Sequence, residues 1–398
     1  MSNRFSSTMP EVRICRHLFF IVGFLLVTFQ CISAIAVEKD SIYIRWDTTT
    51  LRKISSASIQ SNYNGYSRLI QYHGDTLLSV YEADGNIVCA GSNDSGNSWE
   101  KHKIIVPQEE GVNMCVPDIL LLRDKSILVC YNLRPYKKDS NRRFAVKTIK
   151  SYDGGNTWKD DRLLYEAGTK FEDGCWEPSA IQLPSGEIQL FFANEGIYLN
   201  SNEQNISMLR SFNGGLNWDR KPVIVSFRKG KRDGMPVPVI LKGGKEIVLA
   251  IEDNGIGEFK PYVVRNTLKQ NWAVPVTAES PLRTYALQRK LDTAVYAGAP
   301  YLCQLKSGET ILSYQGTEGR KSNKMNDAEM KVVIGDDAAE NFASKSSPFK
   351  IPSGKSGLWN SLAVLTDSTI IALTSTNAYS PNKTEVWMIK GRLVRIRK

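Results

Sequence analysis

The chain has 398 residues, 42% of them hydrophobic, a formal net charge of +10 and three histidines. That length supports a large core, and a single closed all-β unit can reach it without dividing into smaller domains. With His17, His73 and His102 as the whole histidine complement, the composition argues against a histidine-based metal site and a Ser-His-Asp triad. No clustered metal ligands stand out, no cofactor is implied, and no motif points to nucleic acid, nucleotide or haem.

In chain order, the opening segment differs from the rest. Arg4, Arg13, Arg16 and His17 precede the apolar run LFFIVGFLLVTF (18–29), and Ala34 and Ala36 follow at Ala-x-Ala spacing. This is the pattern of a secretory signal peptide over residues 1–36. The run is short for a membrane span; an uncleaved anchor is the alternative. The expectation is a secreted or periplasmic protein, monomeric and without stable membrane association once cleaved. The leader carries three Arg against Glu11, so about +8 remains on residues 37–398. Cys89, Cys115, Cys130, Cys175 and Cys303 lie beyond the leader. Their odd number and lack of C-x-x-C spacing suit small buried strand residues, with one disulfide left open, and imply no disulfide framework.

A repeat then dominates the chain. An apolar run, a polar turn and a second apolar run recur as YSRLIQYHGDTLLSVYE (66–82), VPDILLLRDKSILVCYN (116–132) and EPSAIQLPSGEIQLFFANE (177–195). The pattern continues as VPVILKGGKEIVLAIED (237–253), APYLCQLKSGETILSYQ (299–315) and NSLAVLTDSTIIALTST (360–376). Pro117, Pro178, Pro238 and Pro300 read as equivalent positions. Each copy predicts a β-hairpin, strands A and B, joined by turn residues such as His-Gly-Asp or Pro-Ser-Gly-Glu. Two further strand-like runs, C and D, follow the first three hairpins: 86–92 and 101–106, 143–151 and 161–165, 206–211 and 221–226. Six four-stranded antiparallel units in series predict an all-β, six-bladed β-propeller over residues 37–398. Runs before residue 60 and after 384 are placed to close the ring within one blade.

Between C and D stand SNDSGNSW (92–99), SYDGGNTW (151–158) and SFNGGLNW (211–218). Strands in a blade alternate in direction, so these turns fall on the face opposite the starts of A and the ends of B. They read as structural brackets: Asp or Asn bonds the turn, Gly supplies the unusual φ and Trp packs on the blade. Ser-x-Asp-x-Gly-x-Thr-Trp resembles the Asp-box, or bacterial neuraminidase repeat, of the sialidase-like propellers. The second copy matches fully; Ser98 replaces Thr in the first, and Asn213 and Asn217 replace Asp and Thr in the third.

Function is therefore sought on the other face. There the starts of A bring Arg68, Asp118, Trp176, Glu177, Trp359 and Asn360, and the ends of B bring Glu82, Asn132 with Arg134, Glu195, Glu252-Asp253 and Tyr314-Gln315. Such a set suits an oligo- or polysaccharide: carboxylates for acid–base work, aromatics for ring faces, polar groups for hydroxyls. The best carboxyl pair is Glu177, before Pro178, and Glu252, which ends the apolar run IVLAIE. Arg68, Asp118, Trp176, Glu195, Tyr314, Trp359 and Asn360 are the candidate substrate-binding residues. RKGKRDG (228–234) reads as a solvated loop on the same face, or a contact for an anionic substrate.

On YSRLIQ, WEPSAIQLPSGEIQLFFANE, VLAIED, GAPYLCQLKSGETILSYQ and LWNSLAVLTDSTIIAL, the chain most resembles the exo-α-1,5-L-arabinanases of glycoside hydrolase family 93. The resemblance implies a retaining hydrolase that releases arabinobiose, with Glu177 as acid/base and Glu252 as nucleophile. A sialidase is the alternative. YSRLI resembles its Arg-Ile-Pro motif at Arg68, but second and third carboxylate-binding Arg are not evident at blade starts, leaving only Arg210, Arg289 and Arg320 to be recruited. A non-catalytic glycan-binding propeller is the third reading.

Overall fold

The six hairpins owe their apolar runs to their neighbours. The second strand of each unit is covered on both faces by adjacent units, so runs such as Ile188–Asn194 are buried along their whole length and read as continuous rather than alternating apolar stretches. The fourth strands lie outermost, and Lys159–Glu166 is accordingly charged and largely exposed. In this computed structural model, which describes residues 41–136 and 141–396, six four-stranded antiparallel sheets form the blades of a propeller. The signal-peptide segment lies outside the described residues. Among the described residues the only helical turns are the 3-10 turns Phe171–Asp173 and Met325–Asp327, and no helix is long and apolar enough to cross a membrane.

The inner strands are Asn64–His73, Val112–Leu121, Cys175–Gln182, Asp233–Ile240, Ala297–Gln304 and Gly357–Val364 in blades one to six. The first and last described strands meet in blade six, where Ser41–Lys53 pairs antiparallel with Glu385–Ile396 and supplies the outermost strand. This closes the ring as the terminal runs predicted, because one blade is shared between strands from the two ends of the described segment. Apolar side chains pack between blades. Phe191 and Phe192 are fully buried in a cluster that also draws on Leu128, Leu249 and Trp272. Burial of each such ring contributes roughly 1.5–3 kcal/mol. The five cysteines are free, four of them buried, as expected of small strand residues.

The three Asp-box turns sit between the third and fourth strands, away from the starts of the inner strands. In the second box Ser151 Oγ donates to Asp153 at 2.9 Å, and Asp153 also accepts from Thr157 N at 2.8 Å and Thr157 Oγ1 at 2.5 Å. Gly154 and Gly155 hold φ of 72° and 88°. Trp158 donates to Gly155 O at 3.0 Å and packs on the core between blades one and two. The turn is a bracket.

Every inner strand carries the same irregularity near its start. The register jumps between Gly65 and Arg68, Cys115 and Asp118, Trp176 and Ser179, Gly234 and Val237, Gly298 and Tyr301, and Leu358 and Ser361. The first bulged residue is left-handed in all six: Tyr66, Val116, Glu177, Met235, Ala299 and Trp359, with φ of 47–54°. The second bulged residue is Ser67, Pro117, Pro178, Pro236, Pro300 or Asn360. Blade four thus corrects the proline alignment. Pro236 is the equivalent of Pro178, while Pro238 stands on the regular ladder opposite Leu249. The two prolines of MPVP are two residues apart, so both fit a strand period of two. Only the bulge, which leaves a residue outside the ladder where no N–H is needed, separates them.

Candidate active site

The six bulges turn their first residues toward the propeller axis. Tyr66, Met235 and Ala299 form one cluster with Val116 and Trp359 packed against it, although the five come from different blades. Glu177 is the sixth member of this ring and its only ionisable carboxyl. The conformation is unfavourable for a β-branched or bulky side chain, and its recurrence marks it as part of the architecture.

A second ring holds the first in place. Opposite the residue before each bulge stand Glu82, Asn132, Ala193, Glu252, Gln315 and Ser375 on the second strands. Five of these side chains reach the next blade and accept the N–H of its first bulged residue. Asn132 Oδ1 accepts from Glu177 N at 2.9 Å, Glu252 Oε2 from Ala299 N at 2.8 Å, and Gln315 Oε1 from Trp359 N at 2.9 Å. Ser375 Oγ accepts from Tyr66 N at 3.0 Å, and the Glu82 carboxylate accepts from Val116 N. Blade three has Ala193 at this place and no latch. Glu252 thus has an interblade structural role that the neutral Asn132, Gln315 and Ser375 fill in three other blades. Its carboxyl lies between Gly234 and Gly298; a Cβ on Gly298 would come within 2.6 Å of Oε2, and one on Gly234 within 2.9 Å of Oε1. A side chain at either glycine would have to displace the Glu252 carboxyl.

The two candidate carboxyls are electrostatically coupled. Burial pushes Glu177 up to about 8, the Glu252 charge adds to that, and Arg134 opposes it. Burial pushes Glu252 up to about 7, against the Ala299 N–H and Arg232. Two carboxyls from adjacent blades, one shifted further than the other, are suited to acid and base roles in one reaction.

The remaining predicted residues divide by position. Trp176, 7% exposed, donates its indole N–H to Glu195 Oε1 at 3.0 Å. Glu195 also accepts from Arg232 Nη2, and Arg232 bonds Gln204 Oε1 at 2.5 Å. Glu195 thereby fixes a tryptophan and an arginine beside Glu177. Trp359 faces the axis against Tyr66 at 6.1 Å between ring centroids. Arg68 and Asp118 lie one step deeper, at 4% and 6% exposure. With Glu177 they line a narrow cavity of about 10 Å³. Arg68 covers the faces of Tyr66 and Tyr301, and Asp118 accepts from Ser179 Oγ at 2.9 Å. Asn360, also buried, donates to Gly357 O at 3.2 Å. Tyr314 does not join the group. It is buried in the core between blades four and five, and its hydroxyl donates to Glu318 at 2.7 Å. Its neighbour Gln315 is the residue that faces the axis. Asp253 likewise turns away from Glu252 into a buried ion cluster with Arg283 and Arg228.

Sequence reasoning missed Tyr63, Tyr296 and Arg232, which precede three of the bulges at one equivalent position. Tyr296 accepts from Gln315 Nε2 at 2.7 Å and feels the charges of Glu252 and Glu177. Tyr63 is hydrogen-bonded to Trp359. Arg232 was visible as the end of RKGKR, but no local signal separated it from a solvated loop. Among the described residues no group of His, Cys, Asp and Glu could hold a metal ion.

No protein-family model and no curated protein matches the sequence. Solved structures share the fold at low identity. A protein of unknown function from Dyadobacter fermentans superposes with a TM-score of 0.65 at 13% identity, over 87% of this chain and 100% of its own. A family 93 α-L-arabinofuranosidase of Fusarium graminearum, bound to arabinobiose, gives 0.63 at 16%, over 85% and 96%. A sialidase from Streptococcus pneumoniae gives 0.59 at 10%, over 87% and 70%. The chain therefore has the propeller fold that glycoside hydrolases of both kinds use.

Proposed function

We propose that this protein is a secreted glycoside hydrolase working through two carboxyls, Glu177 as general acid/base and Glu252 as nucleophile. The observation that carries the reading is the placement of these two carboxyls on adjacent blades, Glu177 on the axial bulge of blade three and Glu252 beside Gly234 and Gly298, near enough that the Glu252 charge acts on Glu177. In the first step Glu252 attacks the anomeric carbon while Glu177 gives its proton to the departing oxygen. In the second, water attacks the same carbon, its proton passes to Glu177, and Glu252 leaves. Trp359, only partly buried at the axis, offers a face for the sugar ring, whereas Trp176 is buried behind Phe171 and Arg134 and supports the pocket wall. The best-fitting specificity is exo-acting release of arabinobiose from α-linked arabinan, supported by the family 93 resemblance and by the fold shared with an arabinobiose-bound neighbour.

Product analysis on linear arabinan, sialyllactose and aryl glycosides tests this. Arabinobiose released by the native chain, and by neither Glu177→Gln nor Glu252→Gln, is the expected result; proton NMR of the first-formed anomer reads retention. A sialidase is the second reading, favoured by Tyr296, whose hydroxyl feels the Glu252 charge. Against it, Arg210 and Arg320 are committed to ion pairs with Glu187 and Glu329. Free sialic acid as the product would establish it. No product from any substrate would leave a glycan-binding propeller.

A further inference from the structure

The arginines around the mouth differ in one respect. Arg232 is paired with Glu195, Arg228 and Arg283 with Asp253, and Arg320 with Glu329. Arg134, at the end of the second strand of blade two, has no carboxylate within ion-pair distance among the described residues. Its guanidinium lies instead over two aromatic rings, 5.1 Å from the Phe171 centroid and 5.2 Å from that of Trp176. The same side chain hydrogen-bonds the buried Cys115 thiol, and its charge is felt by both Glu177 and Glu82. Phe171 is 55% exposed and is propped edge-on by the buried Phe144 at 6.3 Å. A cation held on aromatic faces keeps its in-plane N–H donors directed sideways, where a carboxylate or sulfate can accept them in pairs. Exposed aromatic surface beside it suits the apolar face of a sugar ring.

We propose that Arg134, with Phe171 as its platform, forms a binding subsite for an anionic sugar residue, one bearing a carboxylate or a sulfate, next to the bond that Glu177 and Glu252 would cleave. This rests on the two-carboxyl sugar-pocket reading above and departs from its arabinan specificity, in that the glycan bound carries an acidic residue beside the scissile bond. Arg134 is a specificity residue in this assignment. A neutral glycan leaves the guanidinium without a direct anionic partner, whereas an acidic one replaces lost hydration with a charge-assisted contact.

Equilibrium binding tests it without turnover. The full chain carrying Glu177→Gln is titrated by calorimetry with matched pairs: galacturonic acid disaccharide against galactobiose, galactose 6-sulfate against galactose, and sialyllactose against lactose. The expected result is that the acidic member of at least one pair binds about tenfold tighter or more, that added salt erodes the preference, and that Arg134→Gln abolishes it. Which pair responds separates carboxylate from sulfate. Arg134→Lys, which keeps the charge, retains part of the preference and covers the case in which the glutamine variant fails to fold. Equal binding within every pair, or a preference that survives Arg134→Gln, overturns the subsite while leaving the sugar pocket. Absence of binding by every sugar overturns the pocket and the subsite together.

Discussion

Replacing Glu177 by Gln removes a carboxyl that the fold holds in an unfavourable place. Its folded value is pushed from the ordinary 4.5 to about 8, chiefly by burial. Below about pH 4.5 the group is neutral in both folded and unfolded chains and costs nothing. Between 4.5 and 8 the unfolded chain ionises freely while the folded one resists, so the native protein loses stability as pH rises; above 8 the loss is constant. At about 1.4 kcal/mol per unit the full shift corresponds to about 5 kcal/mol. Part of the Glu177 surface remains open to solvent, so screening reduces this to roughly 2–3 kcal/mol. Glu177→Gln is therefore expected to match the native chain at pH 4 and to exceed it by that amount at pH 9, with hydrolysis lost at both. Urea denaturation at a series of pH values reads the stability. A difference that is flat with pH, or native stability greater than the variant's at pH 9, would refute the claim that this carboxyl is held protonated at the axis.

Other positions give further tests. The pH dependence of kcat/KM should be bell-shaped and narrow, rising as Glu252 ionises near 7 and falling as Glu177 does near 8; an optimum near pH 4 would contradict the assigned pair. Glu252→Ala should cost about 1–3 kcal/mol through the orphaned Ala299 N–H, measured by thermal or urea unfolding, whereas Glu252→Gln should fold normally because Gln315 already makes the same latch to Trp359. Trp158→Ala should destabilise by about 2–4 kcal/mol through lost packing and leave sugar affinity unchanged, because its turn lies on the far face. Arg283→Met should cost about 3–5 kcal/mol in the same assay, since it strands Asp233 and leaves Asp253 with Arg228 alone, both aspartates being without solvent exposure.

The fold was legible because its forces are local and repeated. Burial between blades writes continuous apolar runs, tight turns write Gly, Asp and Pro, and the Asp-boxes mark the spacing. Glu177 and Glu252 were legible as acids at the ends of such runs. The slips arose where one residue decides the face. Tyr314 and Gln315 are adjacent, so they point to opposite sides of the strand. The larger aromatic attracted the assignment, but Gln315 is the counterpart of Glu252 and Tyr314 of Ile251. Aligning Glu82, Asn132, Glu252 and Gln315 as one column was the signal that could have settled it. The bulges added a second difficulty. They shift each inner strand by one residue without altering its composition, so Pro238 passed for Pro236, and Arg232, Tyr63 and Tyr296 could not be placed on the mouth.

The sixfold comparison also supplies an internal control for the chemistry. Glu82 and Glu252 occupy equivalent positions in blades one and four, both latch to the next blade, and burial pushes both up to about 7. A perturbed carboxyl at this place is therefore a product of the architecture and is no evidence of catalysis by itself. What distinguishes Glu252 is its neighbour. Its charge acts on Glu177, while Glu82 is coupled to Arg134 and Asp84. If the two-carboxyl reading is correct, Glu82→Gln should keep turnover within a few-fold of the native chain, and Glu252→Gln should abolish it, with both variants folded because glutamine preserves the latch. Equal losses in the two variants would mean that ring geometry, which both latches maintain, is what the activity senses. Glu252 would then be a structural acceptor that happens to be charged.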